Sequence, residues 1–173
     1  FMNFPNHNLR IRRTLEIVDV LFPECERDGK LARNLGFSGE IGPRMAAGGP
    51  FQFQSGSNED VDSREIITVK GYGGTWGRAV QALESLHRVQ GQIAEYEIHV
   101  VSVTSDVQKE ITRLLRTSNL NIIAHPKFSL STSEVRTLLM RSKYYIALSE
   151  SDGFPASLME ALLCGCIPIQ SST

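Results

Sequence analysis

Cysteine is scarce: Cys25, Cys164 and Cys166 are the three in a chain of 173 residues. An odd, small number argues against a disulfide framework and fits a reducing compartment. Cys164 and Cys166 flank Gly165 at a spacing unlike that of zinc-binding pairs, with no second pair elsewhere, so no metal is expected and the two read as small packing residues. Charge of one sign is lacking too. Lys and Arg number 18, Asp and Glu 19, for a formal charge of −1, which removes the electrostatic case for nucleic acid as a partner. No apolar run reaches the ~18 residues of a spanning helix. No leader pattern opens the chain, which starts Phe1-Met2-Asn3, so a cytoplasmic setting is expected. Internal repeats and low-complexity tracts are missing as well. What remains is an ordinary globular composition, 41% hydrophobic, long enough for one well-packed domain, or for one domain and a piece of another. Both ends read as cut, because the last strand runs into Ser171-Ser172-Thr173 with no closing element. A fragment of a longer protein is the expectation.

Along the chain, residues 1–13 are polar and basic and read as an irregular lead-in. Residues 14–22 read as a helix end or a buried strand, the strand over 18–22. Residues 24–35 read as a helix with Leu31 and Leu35 inward and Gly36 just past its end, and 39–42 as a short strand. Residues 46–62, rich in Gly, Ser, Asn and Pro, read as a linker, which places the domain boundary there.

From Ser63 a β–α alternation begins. Strands are expected over 65–70, 96–103, 120–124, 143–148 and from 167. Helices are expected over 77–89 (Val80, Leu83, Leu86 and Val89 inward), 107–117 (Val107, Ile111, Leu114 and Leu115 inward), 132–141 (capped by Thr132 or Ser133) and from Pro155. Five strands alternating with four helices predict an α/β fold. The sheet is parallel and Rossmann-like, its helices on both faces and its strand order 3-2-1-4-5.

The stretch 149–170 organises this half. Asp152-Gly153-Phe154-Pro155 is a turn. Pro155 suits the first position of a helix that is apolar nearly all round and so should be buried, and Gly165 ends it. Glu160 is the anomaly, since a carboxylate among buried leucines costs several kcal/mol unless satisfied. Asp152 lies beside the helix N-terminus, where free N–H groups and roughly half a positive charge favour an anion. The stretch therefore offers a phosphate seat, formed around Gly153, Phe154, Pro155, Ala156 and Ser157 and flanked by two acids that can accept from sugar hydroxyls. A plainer alternative is a capping box, with Glu160 reaching back to the Ser157 N–H.

In a sheet of this order, ligands bind where the order reverses, outside the carboxyl ends of the strands. That point lies between the first and fourth strands, so the loop starting at Lys70-Gly71-Tyr72 and the loop 149–154 are predicted neighbours. Lys70 and Arg78 add positive charge there, with Arg78 in the first turn of its helix opposing the dipole, a conflict that an anionic ligand would remove.

Asp152 with Gly153-Phe154-Pro155, then Glu160, Ala161, Gly165 and Pro168-Ile169, closely resembles the acid-x7-acid signature of retaining glycosyltransferases with the GT-B fold. The usual first acid is Glu; Asp152 is one methylene shorter. The resemblance implies the C-terminal donor-binding domain over 63–173, with 1–62 the end of the N-terminal domain and the interdomain linker, and Gly48-Gly49-Pro50 near the cleft. It implies a nucleotide-diphosphate sugar as donor substrate, no cofactor, no metal, and a sugar or glycoconjugate as acceptor. It also implies possible peripheral membrane contact in the full-length protein. Glu160 would hold the ribose, Asp152 and the amides near Gly153 the donor sugar. Lys70 and Arg78 would grip the diphosphate, with the family's Arg and Lys exchanged, which keeps charge but changes hydrogen-bond geometry. The segment from His125 would help hold the base, mainly through backbone groups.

Other readings fit less well. Glycoside hydrolysis needs two acids across a scissile bond, and Asp152 and Glu160 have other tasks. A receiver-like domain needs acids at the first strand, which here ends in Lys70. Gly71-Tyr72-Gly73-Gly74 is not a dinucleotide-binding G-x-G-x-x-G. A nucleotide-binding module without turnover stays open.

Overall fold

A computed structural model describes residues 5–45, 60–150 and 155–171. The chain divides into two compact units, residues 1–50 with 153–156, and residues 51–152 with 157–173.

The first unit holds α1 (Pro5–Leu15), β1 (Val20–Leu21), α2 (Glu26–Asn34) and β2 (Glu40–Ile41). Helix α1 corrects the expectation of a loop over 1–13. Pro5 stands at the first helical position, where its missing N–H is no loss, and Leu, Arg and Leu residues that favour helix follow it. The strand expected over 18–22 shortens to two residues and is not buried, with Val20 39% exposed and Leu21 half-buried. β1 and β2 pair in parallel, Val20 opposite Glu40 and Leu21 opposite Ile41, with α2 as the crossover. Gly36 takes the left-handed conformation (φ 99°) just beyond α2, as the sequence led one to expect. Arg33 closes the α2–β2 turn by donating from Nη1 to the carbonyls of Phe37 (2.8 Å) and Gly39 (2.7 Å).

The second unit is a parallel sheet of β3 (Ile66–Lys70), β4 (Glu97–Val103), β5 (Asn121–Pro126), β6 (Ser142–Ala147) and β7 (Ile167–Gln170). Its order is β5-β4-β3-β6-β7, the predicted 3-2-1-4-5. The helices are α3 (Gly74–Gly77), α4 (Ala79–Arg88), α5 (Ser105–Thr117), α6 (Thr132–Arg141) and α7 (Ala156–Leu163). β3 is central, and the run Ile66-Ile67-Thr68-Val69 is buried throughout, as a strand covered on both faces requires. On one face Ile67, Val69, Ile98, Val100 and Ile146 pack with Leu83 and Leu86 of α4 and Val107, Ile111 and Leu114 of α5. On the other, Tyr145 and Ala147 pack with Leu139, Ala161, Cys164 and Cys166. Each fully buried aliphatic side chain contributes about 1.5–3 kcal/mol.

Four expectations change. The helix expected over 77–89 is two helices broken at Arg78, whose φ is 54°. Leu115 (52% exposed) and Val89 (38%) do not face inward: the first lies at the edge of the stripe set by Val107, Ile111 and Leu114, and the second lies just past the end of α4. Helix α6 is capped by Ser131, which forms a capping box with Glu134. Helix α7 buries Ala161 fully, yet Leu162 is 44% exposed; an apolar sequence on all sides does not by itself bring neighbours to every side.

Arg64 is 6% exposed. Its Nη1 donates to the carbonyls of Ser142 (3.1 Å) and Cys164 (2.9 Å), tying the approach to β3 to the start of β6 and the end of α7.

Candidate functional site

β3 and β6 lie side by side in parallel, with Thr68 opposite Tyr145 and Val69 opposite Ile146. The strand order reverses here, and the loops that follow both strands leave from the same edge. They meet. The Glu150 N–H donates to the Trp76 carbonyl at 3.0 Å, and Arg78 Nη1 lies 3.0 Å from Glu150 Oε1, both side chains part-exposed. The predicted neighbourhood of the two loops is therefore present. Glu150, however, was not expected as the partner that brings it about. Arg78 also needs correction: it precedes α4 in the left-handed region instead of sitting in the first turn of a longer helix, and its charge is met by a carboxylate.

The β3 loop is held from the side of β4 and α5. Gly71 is buried, and its N–H donates to the Val101 carbonyl at 2.7 Å. The Gly73 N–H donates to Thr104 Oγ1 (3.0 Å), and the Gly74 N–H to Asp106 Oδ2 (2.8 Å). The Thr104 hydroxyl in turn donates to Asp106 Oδ1 at 2.6 Å. The Thr104 hydroxyl and then the Gly74 amide hold the Asp106 carboxyl below the usual carboxylate range. A Cβ on Gly73 would stand 2.0 Å from Asp106 Oδ2, and one on Gly77 would stand 1.9 Å from the Tyr72 carbonyl. The glycines thus serve close packing inside the protein. The amides of Gly71, Gly73 and Gly74 have internal acceptors and are not the donors left for a ligand. Thr104 and Asp106 escaped the sequence reading, although a Thr-x-Asp opening a helix was a signal for committed side-chain acceptors.

Lys70 ends β3 half-buried, its Nζ 5.4 Å from the centre of the Tyr72 ring. Lys70 pairs with Val101, and Val101 with His125. The three form one row across the carboxyl end of the sheet, and neighbours in a parallel row face the same side. His125 has a half-buried ring stacked on His99, with centroids 5.0 Å apart. Its Nε2 lies 2.8 Å from His99 Nδ1, and His99 Nε2 lies 2.8 Å from Glu97 Oε2. Burial, and then the neighbouring His99, push the His125 imidazole pKa down. In sequence His125 has no acidic neighbour; strand register supplies one through His99.

Pro155, Ala156, Ser157 and Glu160 are all half-buried. Ser157 lies inside α7 and does not precede it, so a capping box with Glu160 is not formed. Glu160 is less enclosed than a position among buried leucines implied, and among the described residues it makes no ion pair or side-chain hydrogen bond. Asp152, Gly153 and Phe154 lie outside the described residues, as does Gly48-Gly49-Pro50.

Cys164 and Cys166 are buried and unpaired. Burial raises both thiols, Cys166 to about 12, so they are packing groups and not nucleophiles. Among the described residues no group of three or more His, Cys, Asp or Glu side chains could hold a metal ion. None of the described helices is long and apolar enough to cross a membrane.

Two viral proteins share short stretches with this chain. A provisionally named glycosyltransferase of Sulfolobus islandicus filamentous virus is 43% identical over 51 residues, which is 30% of this chain and 16% of that protein. A second, from Acidianus filamentous virus 2, is 35% identical over 49 residues, 28% of this chain and 15% of that protein. The fold is shared more widely. A variant of S. aureus TarM, in a complex with UDP, superposes with a TM-score of 0.72 at 15% identity, covering 98% of this chain and 34% of TarM. The pneumococcal O-GlcNAc transferase GtfA, in complex with UDP and GlcNAc, gives 0.69 at 15% identity, covering 95% and 32%. The lipopolysaccharide outer core galactosyltransferase WaaB gives 0.63 at 16% identity, covering 88% and 43%. The chain thus spans about a third of the length of the first two solved proteins, and its sheet unit has the Rossmann-like form of a GT-B domain. The profile of the family described as "Glycosyl transferases group 1" matches residues 52–173, most of the chain, and the chain belongs to that GT-B glycosyltransferase family.

Proposed function

We propose that this chain is the donor-binding part of a retaining glycosyltransferase that uses a nucleotide-diphosphate sugar, of hexosyltransferase type, in polysaccharide or glycoconjugate synthesis. Residues 63–173 form its nucleotide-sugar-binding domain, and residues 1–62 the end of the preceding domain and the linker. The observation that carries this reading is the meeting of the two loops at the reversal of strand order, where Arg78 faces Glu150 at 3.0 Å and Lys70 ends the strand from which the Arg78 loop departs. GtfA and TarM, whose folds this chain shares, were solved with UDP, which favours a uridine nucleotide as the first donor to test.

In this reading Lys70, Arg78 and the N-terminus of α7 (Pro155, Ala156, Ser157) neutralise the diphosphate as it leaves. This is stabilisation of charge where it develops, with no metal required. Glu160, without a side-chain partner among the described residues, accepts from the ribose hydroxyls. Asp152, with the amides of Gly153 and Phe154, positions the donor sugar. Gly71 shapes the loop from within, packed against Val100 and Val101, and His125 borders the base. The bond from the anomeric carbon to the diphosphate oxygen breaks. The acceptor hydroxyl oxygen bonds to that carbon from the same face, and its proton passes to the leaving phosphate.

Titration calorimetry of the chain with UDP, GDP and ADP tests the reading. One nucleotide should bind, and Arg78→Gln and Glu160→Gln should each weaken it by about tenfold, as expected for hydrogen bonds to charged groups. Absence of binding, or binding indifferent to both substitutions, would overturn it. A second reading, a nucleotide-binding module without turnover, is favoured by the chain's spanning about a third of the solved GT-B proteins. Nucleotide binding with no sugar transfer would select it for these 173 residues.

A further inference from the structure

Glu97, His99 and His125 form a line of hydrogen bonds along one face of the sheet. Glu97 begins β4, His99 lies two residues on and so on the same face, and His125 is next to last in β5. The links are 2.8 Å from Glu97 Oε2 to His99 Nε2 and 2.8 Å from His99 Nδ1 to His125 Nε2. The line runs from the amino end of β4 to the carboxyl end of β5, where His125 shares its row with Lys70. Two strand spacings, roughly 10 Å, separate those two backbone positions, a distance on the scale of a nucleotide.

The chemistry of the three groups sets the direction of the protons. An ionised carboxylate only accepts, so His99 donates from Nε2. With both rings neutral, His99 Nδ1 then has only a lone pair, and His125 must donate to it from Nε2. His125 Nδ1 is left as the lone-pair nitrogen, and among the described residues it has no hydrogen-bond partner. Burial keeps His125 neutral by lowering its pKa.

We propose that Glu97 and His99 are positioning residues that hold His125 as its Nε2–H tautomer, so that Nδ1 is presented at the carboxyl edge as a hydrogen-bond acceptor for the nucleotide. This rests on the donor-binding reading for its ligand, but not for its tautomer. A side chain set in this way imposes a polarity that the ligand's N–H or O–H group must match.

Long-range 1H–15N spectra of the chain at pH 7.5 read the tautomer directly, without ligand. His125 should show a protonated Nε2 and a lone-pair Nδ1. Glu97→Leu and His99→Phe (the latter keeping the stacked ring) should both convert it to a mixture of tautomers. On addition of UDP, the His125 Nδ1 resonance should move while Nε2 stays. His99→Phe should weaken UDP by about 3- to 10-fold, the effect of one misdirected hydrogen bond. An Nδ1–H tautomer in the unaltered protein, or one unchanged in His99→Phe, would overturn the proposal. UDP binding that leaves Nδ1 unmoved would overturn the acceptor role. Failure of any nucleotide to bind, with the tautomer as described, would overturn the donor-binding reading and with it the ligand role of His125, while the relay would stand.

Discussion

Arg78 and Glu150 come from loops on two different strands, and their charged atoms are 3.0 Å apart. The same Glu150 also donates its backbone N–H to the Trp76 carbonyl, so the backbone contact persists if the carboxylate is removed. In the proposed site, Glu150 competes with an incoming diphosphate for Arg78. Exposed pairs are worth up to about 1 kcal/mol, so Glu150→Gln should tighten UDP by about two- to fivefold. Calorimetry decides, and an unchanged or weaker affinity would show that the pair serves binding as it stands.

Arg78 holds a left-handed φ of 54° without being glycine, at a cost of about 1–2 kcal/mol. Arg78→Gly relieves that strain and loses only a part-exposed ion pair. Thermal unfolding should therefore stay within about 1 kcal/mol of the parent, while UDP affinity falls by tenfold or more. Stability and binding separate at this position if the guanidinium is there for the ligand. A large loss of stability would instead make Arg78 a structural residue.

Asp106 secures the β3 loop through the Gly74 amide and the Thr104 hydroxyl. Its pKa is lowered in the folded protein, so its contribution is present above the ordinary carboxylate pKa of about 3.9 and lost as pH falls through the folded value. Asp106→Asn should be less stable than the parent at pH 7, and the difference should shrink below about pH 4. Amide exchange at Gly74 should also quicken. A stability gap that does not depend on pH would rule out the ionised carboxylate as the cause.

Cys164 and Cys166 are buried, whereas Cys25 is half-exposed. Iodoacetamide at pH 8 should modify Cys25 first in the folded chain, and the other two only in denaturant, because burial keeps Cys166 protonated, at a pKa of about 12. Mass spectrometry of the alkylated peptides reads the order, and early labelling at Cys166 would contradict the packing described here.

The sheet was legible in the sequence because its signals are local. Ile66, Ile67, Thr68 and Val69 are all β-branched, the stripe Val107, Ile111, Leu114 has helical spacing, and right-handed crossovers leave few orders for five parallel strands. The meeting of the β3 and β6 loops followed from that order. What the sequence hid depends on register and close approach. The break at Arg78 accompanies the close approach of Gly77 to the Tyr72 carbonyl. The commitment of the Gly73 and Gly74 amides to Thr104 and Asp106 joins groups from opposite sides of β4. The pairing of His99 with His125 needs two strands aligned to the residue. Polarity misled over 1–13, where Arg and Leu favour helix as well as solvent, and over α7, where an apolar composition overstated burial.

Arg64 carries a practical message for anyone dividing this protein. Its guanidinium meets two carbonyls that lie far along the chain, at Ser142 and Cys164, although it precedes the first strand of the sheet. A gene fragment begun at Glu65 would encode every strand yet leave those carbonyls without their donor. An excision boundary for the sheet unit, or a crossover point for grafting it onto another enzyme, has to fall upstream of residue 64.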